Sequence, residues 1–164
     1  MSKYFEAVNK TTGSEELVDG YLSNSIESVT AASIISKLQC VYSGASGVAP
    51  AIANSDATAK VTGLSLDAYA AAAPAEIVTS GRLTGTVAEW SAITEAGGAL
   101  VDGEDYYLST TTAGGLMTNA EMIASIVPAT ERRVLIGRAI TTTSLMISIG
   151  EIESIDQDPA EILP

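Results

Sequence analysis

The residues able to carry chemistry are few, and what is missing among them decides more than what is present. The 164-residue chain contains no histidine. Ser-His-Asp and Cys-His nucleophilic sites, His-ligated zinc and the usual general base near neutral pH therefore fall away. The one cysteine, Cys40, can form neither an internal disulfide nor a thiolate zinc site. It lies in a strand-like run between Gln39 and Val41 and reads as a small buried residue. Carboxylates remain. Asp102, Glu104 and Asp105 cluster in Val-Asp-Gly-Glu-Asp-Tyr-Tyr, and Asp156 and Asp158 alternate near the C-terminus. A glycosidase needs two carboxylates across an aromatic sugar cleft, whereas the aromatic residues here are six Tyr, Trp90 and Phe5, without a cluster. The same acids offer oxygen ligands to calcium, but the EF-hand type of loop with its closing Glu is missing. A solvated turn at a strand start is the simpler expectation.

Glycine pairs at Gly97-Gly98 and Gly114-Gly115 do not follow a strand and open a helix with Lys and Ser/Thr, so they are hairpin turns and not phosphate loops. Arg132, Arg133 and Arg138 are the only basic cluster. They could grip an acidic partner bidentately, another copy's tail included, and a solvated strand edge explains them equally well. Trp90, in Ala-Glu-Trp-Ser-Ala-Ile, is a core plug or a contact anchor.

Composition narrows the class further. Twenty acids against 8 bases give a net charge of −12, which repels nucleic acid and anionic lipid alike. Hydrophobic residues make up 46% and charged ones 17%, against about 25% charged in ordinary domains. Mean hydropathy is +0.27. Ser and Thr are abundant, and the apolar residues are mostly Ala, Ile, Leu and Val. Such a chain is β-rich and has outer faces that need not all meet water: a subunit of an assembly. The start Met-Ser-Lys-Tyr-Phe-Glu lacks the apolar region of a signal peptide. The most apolar stretch, 68–75, is far short of the ~20 residues that cross a bilayer.

The elements that must position these residues are strands. Residues 60–66, 75–81, 82–87, 133–140 and 144–150 are short alternating or β-branched runs bounded by Gly, Asn and Asp, the pattern of an antiparallel sandwich or barrel. A helix is predicted from Asn119 to residue 127, before Pro128; residues 24–39 fit helix or strand. A weak internal echo pairs Val41-Tyr-Ser, Gly47-Val, Val-Thr-Gly63 and Ile-Val-Thr-Ser-Gly81 with Tyr107-Leu-Ser, Gly115-Leu, Leu-Ile-Gly137 and Met-Ile-Ser-Ile-Gly150. It predicts two similar strand meanders facing each other across one core. The ends differ from the middle: residues 1–37 form an N-terminal arm with Tyr4 and Phe5 as anchors, 38–150 the β-domain, and 151–164 an acidic tail with apolar Ile152 and Ile155.

Three segments carry a resemblance. Val78-Thr-Ser-Gly-Arg-Leu-Thr-Gly, then Leu100-Val-Asp-Gly-Glu-Asp-Tyr-Tyr-Leu-Ser-Thr-Thr-Thr-Ala-Gly-Gly-Leu-Met-Thr, then Val134-Leu-Ile-Gly-Arg-Ala-Ile resemble a small β-module of tailed-bacteriophage structural proteins, most like capsid decoration (cement) proteins. The resemblance spans roughly residues 38–150. It implies a virion structural role without catalysis, cofactor or metal. Expected partners are the major capsid protein and a second or third copy of the chain, with no nucleic acid or membrane. The expected place is the virion, assembled in the host cytoplasm. Tyr4, Phe5, Trp90, Arg132, Arg133, Ile152 and Ile155 are the interface candidates. The alternative is a tail fibre, spike or baseplate adaptor that binds a host glycan through Trp90, Tyr106 and Tyr107, or binds another tail protein. An enzyme built on Asp102 and Asp105 is the remote third reading.

Overall fold

The computed structural model describes residues 24–125 and 131–154. In chain order these form β1 (Ser25–Thr30), β2 (Cys40–Gly44), β3 (Gly47–Pro50), β4 (Val61–Ser65) and β5 (Pro74–Thr84). Helix α1 (Val87–Ser91), β6 (Asp105–Leu108), β7 (Leu116–Thr118) and helix α2 (Asn119–Ser125) follow. The last four are β8 (Arg132–Arg133), β9 (Leu135–Thr141), β10 (Ser144–Ile147) and β11 (Glu153–Ser154). The chain is all-β and antiparallel, as its periodicity predicts.

Strand order in the large sheet is β3-β2-β4-β5-β10-β9-β6-β7, with β1 also on β5. Read outward from the β5–β10 pair, both directions give the same arrangement. The agreement extends to single residues. In the first half Val41 lies opposite Gly63 and Tyr42 opposite Val61, with a register shift between them. In the second half Tyr106 lies opposite Gly137 and Tyr107 opposite Leu135, with the same shift. Each half also returns its outer strand to its beginning through a parallel bridge, Ala31 to Val48 in one and Thr94 to Leu116 in the other. The echo in the sequence is therefore a structural duplication of a five-strand unit. Its glycines have a shared cause: a Cβ on Gly63 would stand 2.6 Å from the Val78 carbonyl oxygen, and one on Gly137 would overlap the Met146 carbonyl. Neither strand could approach its neighbour with a side chain there.

Strand β5 belongs to both units. Its first part pairs with β1 and β4, and its residues 81–84 pair with β10. The two runs expected on either side of Gly81 are thus one continuous strand, with Gly81 at φ 104° absorbing the change of direction without breaking the ladder. The Asn24 side chain packs where a Gly81 Cβ would stand and accepts the Arg82 amide at 2.8 Å.

The expected boundary of the arm at residue 37 moves. From Ser25 onward the chain is built into the sheet, and Ala31 and Ile35 are fully buried. β-Branched Ile26, Val29 and Thr30 favour the extended form there. Glu153 and Ser154, assigned to the tail, pair with Arg133 and Arg132. Helix α2 lies inside the predicted helix, but its cap is Thr118 and not Asn119: Thr118 Oγ1 accepts the Glu121 amide and Glu121 accepts the Thr118 amide. Helix α1 was not anticipated, although Thr86 and Glu89 form a capping box with the T-x-x-E spacing.

A large core takes Cys40, Leu64 and Val78 from the first unit and Tyr106, Leu116, Ile136 and Leu145 from the second. A smaller core inside the first unit holds Ala31, Ile35, Val41, Val48, Ala75 and Ile77. The loop after β6 clasps the units together by backbone bonds: Ala53 N–H to Ser109 O (2.9 Å), Gly114 N–H to Ala51 O (2.6 Å) and Cys40 N–H to Gly114 O (3.0 Å). Glu95 holds that loop in shape. Its carboxylate accepts the hydroxyls of Ser109 and, at 2.8 Å, Thr111. Partial burial alone would raise its pKa, but the hydrogen bonds from Ser109, Thr111 and Thr112 outweigh it and hold the group below the ordinary carboxylate value.

A depressed folded pKa stabilises the fold at neutral pH, and that contribution disappears as pH falls from the ordinary Glu range of about 4.3 through the folded value. Replacing Glu95 by Gln is expected to cost about 1 kcal/mol at pH 7. Urea denaturation should show the gap between wild type and Glu95→Gln shrinking as the pH is lowered to about 3.

Candidate functional site

The arginines expected to greet a partner gather around β8, each already held inside the chain. Arg132 is ion-paired with Asp56, and the Arg132 guanidinium keeps the Asp56 carboxyl below its ordinary value. Arg138 grips Asp105 with both arms of its guanidinium, at 2.7 and 3.2 Å. Arg133 takes a third course. Its guanidinium stands 4.8 Å above the centre of the Tyr107 ring and donates to the Tyr107 hydroxyl at 2.8 Å and to Asn119 Oδ1 at 3.4 Å. Stacking on an aromatic face suits the planar guanidinium.

Beside Arg133 lies a shallow cleft of about 270 Å³, lined by Tyr107, Arg133, Leu135, Gly150, Glu151 and Glu153. β11 brings Glu153 here by pairing antiparallel with β8, so the start of the acidic segment rests on the arginine strand of its own chain. The cleft offers one guanidinium, two carboxylates and an apolar floor. Those groups can form hydrogen bonds, but none is a nucleophile backed by a base.

The remaining site candidates separate sharply. Trp90 is a core residue and not a contact anchor: it is fully buried, and its indole N–H donates to the Thr143 carbonyl at 2.8 Å. Helix α1 carries it into the large core, which also holds Leu38 and Leu100. Tyr106 and Tyr107 are buried too, so none of the three aromatics proposed for a glycan faces solvent. The Tyr106 hydroxyl accepts the Val101 amide at 3.0 Å. Ile152 packs partly buried against the large core. Tyr4, Phe5 and Ile155 lie outside the described residues. Cys40 is buried, and burial pushes its thiol pKa far up.

Asp102 is exposed in a turn whose Gly103 has φ 80°, while Asp105 is tied to Arg138, so the two acids do not form a matched pair. Among the described residues no group of three or more Asp, Glu or Cys is placed to hold a metal ion, and no helix is long and apolar enough to cross a membrane. Compared with known proteins, the chain matches no protein-family model and no curated protein.

Sequence reasoning did not find the Arg133–Tyr107 stack. Both residues were visible, but their contact depends on the register of β6, β8 and β9, which no local spacing encodes.

Two measurements check this geometry. Trp90, the chain's only tryptophan, should emit at short wavelength and resist quenching by acrylamide until the protein unfolds. In denaturant titrations Arg133→Ala should cost about 1–2 kcal/mol through its lost stack and hydrogen bonds, whereas Arg138→Ala, removing an exposed and solvent-screened pair, should cost clearly less.

Proposed function

We propose that this protein is a structural subunit of a tailed-bacteriophage virion, a decoration protein that binds the outer capsid and stabilises the junctions between capsomers. The observation that carries the reading is where the phage-like segments fall. Val78 to Gly85, Leu100 to Thr118 and Val134 to Ile140 run through β5, β6, β7 and β9, the strands that supply the large core shared by both units. The resemblance therefore concerns the framework of the fold and not a scattered set of surface turns.

The chemistry of the described body agrees. Among the described residues no buried side-chain nitrogen or oxygen lacks a hydrogen-bond partner. A rigid, fully satisfied body suits a clamp. Binding to the assembled shell and not to its separated parts stabilises the shell by mass action. Contacts would bury apolar and hydroxyl-rich surface, and a net charge of −12 would keep finished particles apart. A glycan-binding tail role would need aromatics other than Trp90, Tyr106 and Tyr107, which the core already uses.

The test is to mix the purified protein with expanded capsids that lack it and to image the particles by electron microscopy. Added density at regular capsomer positions, with a raised temperature of capsid disruption, is the expected outcome. Asp102→Asn with Asp105→Asn should leave that stabilisation unchanged. Absence of any bound density, or a hydrolytic activity lost in the double variant, overturns the reading.

A further inference from the structure

We draw no further inference here: the strongest candidate, the exposed face at one end of the first unit where residues 31–36 and 68–75 meet around Ile34, is an unpartnered apolar surface, and nothing in the structure shows what covers it.

Discussion

Everything in this fold depends on β5 being one strand. A single run of hydrogen-bonded backbone from Pro74 to Thr84 serves as the last strand of the first unit and the first strand of the second. If it ended at Gly81, the units would be two small sheets joined by a linker, each with an open edge beside the break. Continuity is held by the left-handed glycine and by Asn24, which fills the space beside it and takes the Arg82 amide. The large core then follows, because the register of that strand fixes how the units face each other.

That constraint explains where the polar residues went. In a chain rich in Ser and Thr, hydroxyls tie loops to strands instead of lining a cleft. Ser65 donates to the Ser36 carbonyl at 2.6 Å, Thr58 to the Ile52 carbonyl at 2.9 Å, and Ser109 bridges Glu95 to the amides of Thr111 and Thr112. The three clustered arginines behave alike, Arg132 satisfied within the chain by Asp56, Arg138 by Asp105 and Arg133 by Tyr107. Buried polar groups satisfied in this way rigidify a body more than they stabilise it.

The sequence disclosed the strands and even their duplication, because the close approaches that require Gly63 and Gly137 recur at matching places and leave a visible mark. It hid what depends on long-range register. Gly81 reads locally as a break, since glycine more often ends a strand than bends it; only the partners on both sides show that the ladder continues. Residues 25–37 look like an arm because Ser, Thr, Glu and Lys are mixed with the apolar residues, yet one edge of β5 was unpaired without them. Trp90 could not be assigned from its neighbours: a five-residue helix shows too little periodicity to reveal its buried face. The arginine cluster was legible as a cluster and illegible as a function, since its carboxylate partners, Asp56 and Asp105, come from distant segments.

The two units differ in kind at one matched cross-strand position. In the first, the cross-strand pair Cys40–Leu64 is fully buried with Val78 in the core shared with the second unit. The register places Asp105–Arg138 at the same position in the second unit, and there the pair is a salt bridge with the arginine side chain 63% exposed. An apolar cross-strand pair invites another layer; a solvated ion pair refuses one, because stacking on it would strip water from two charges. The substitution of one pair type for the other leaves this position solvated in the second unit where the first unit packs it into the shared core, so the two units keep one strand order and register while burying different faces.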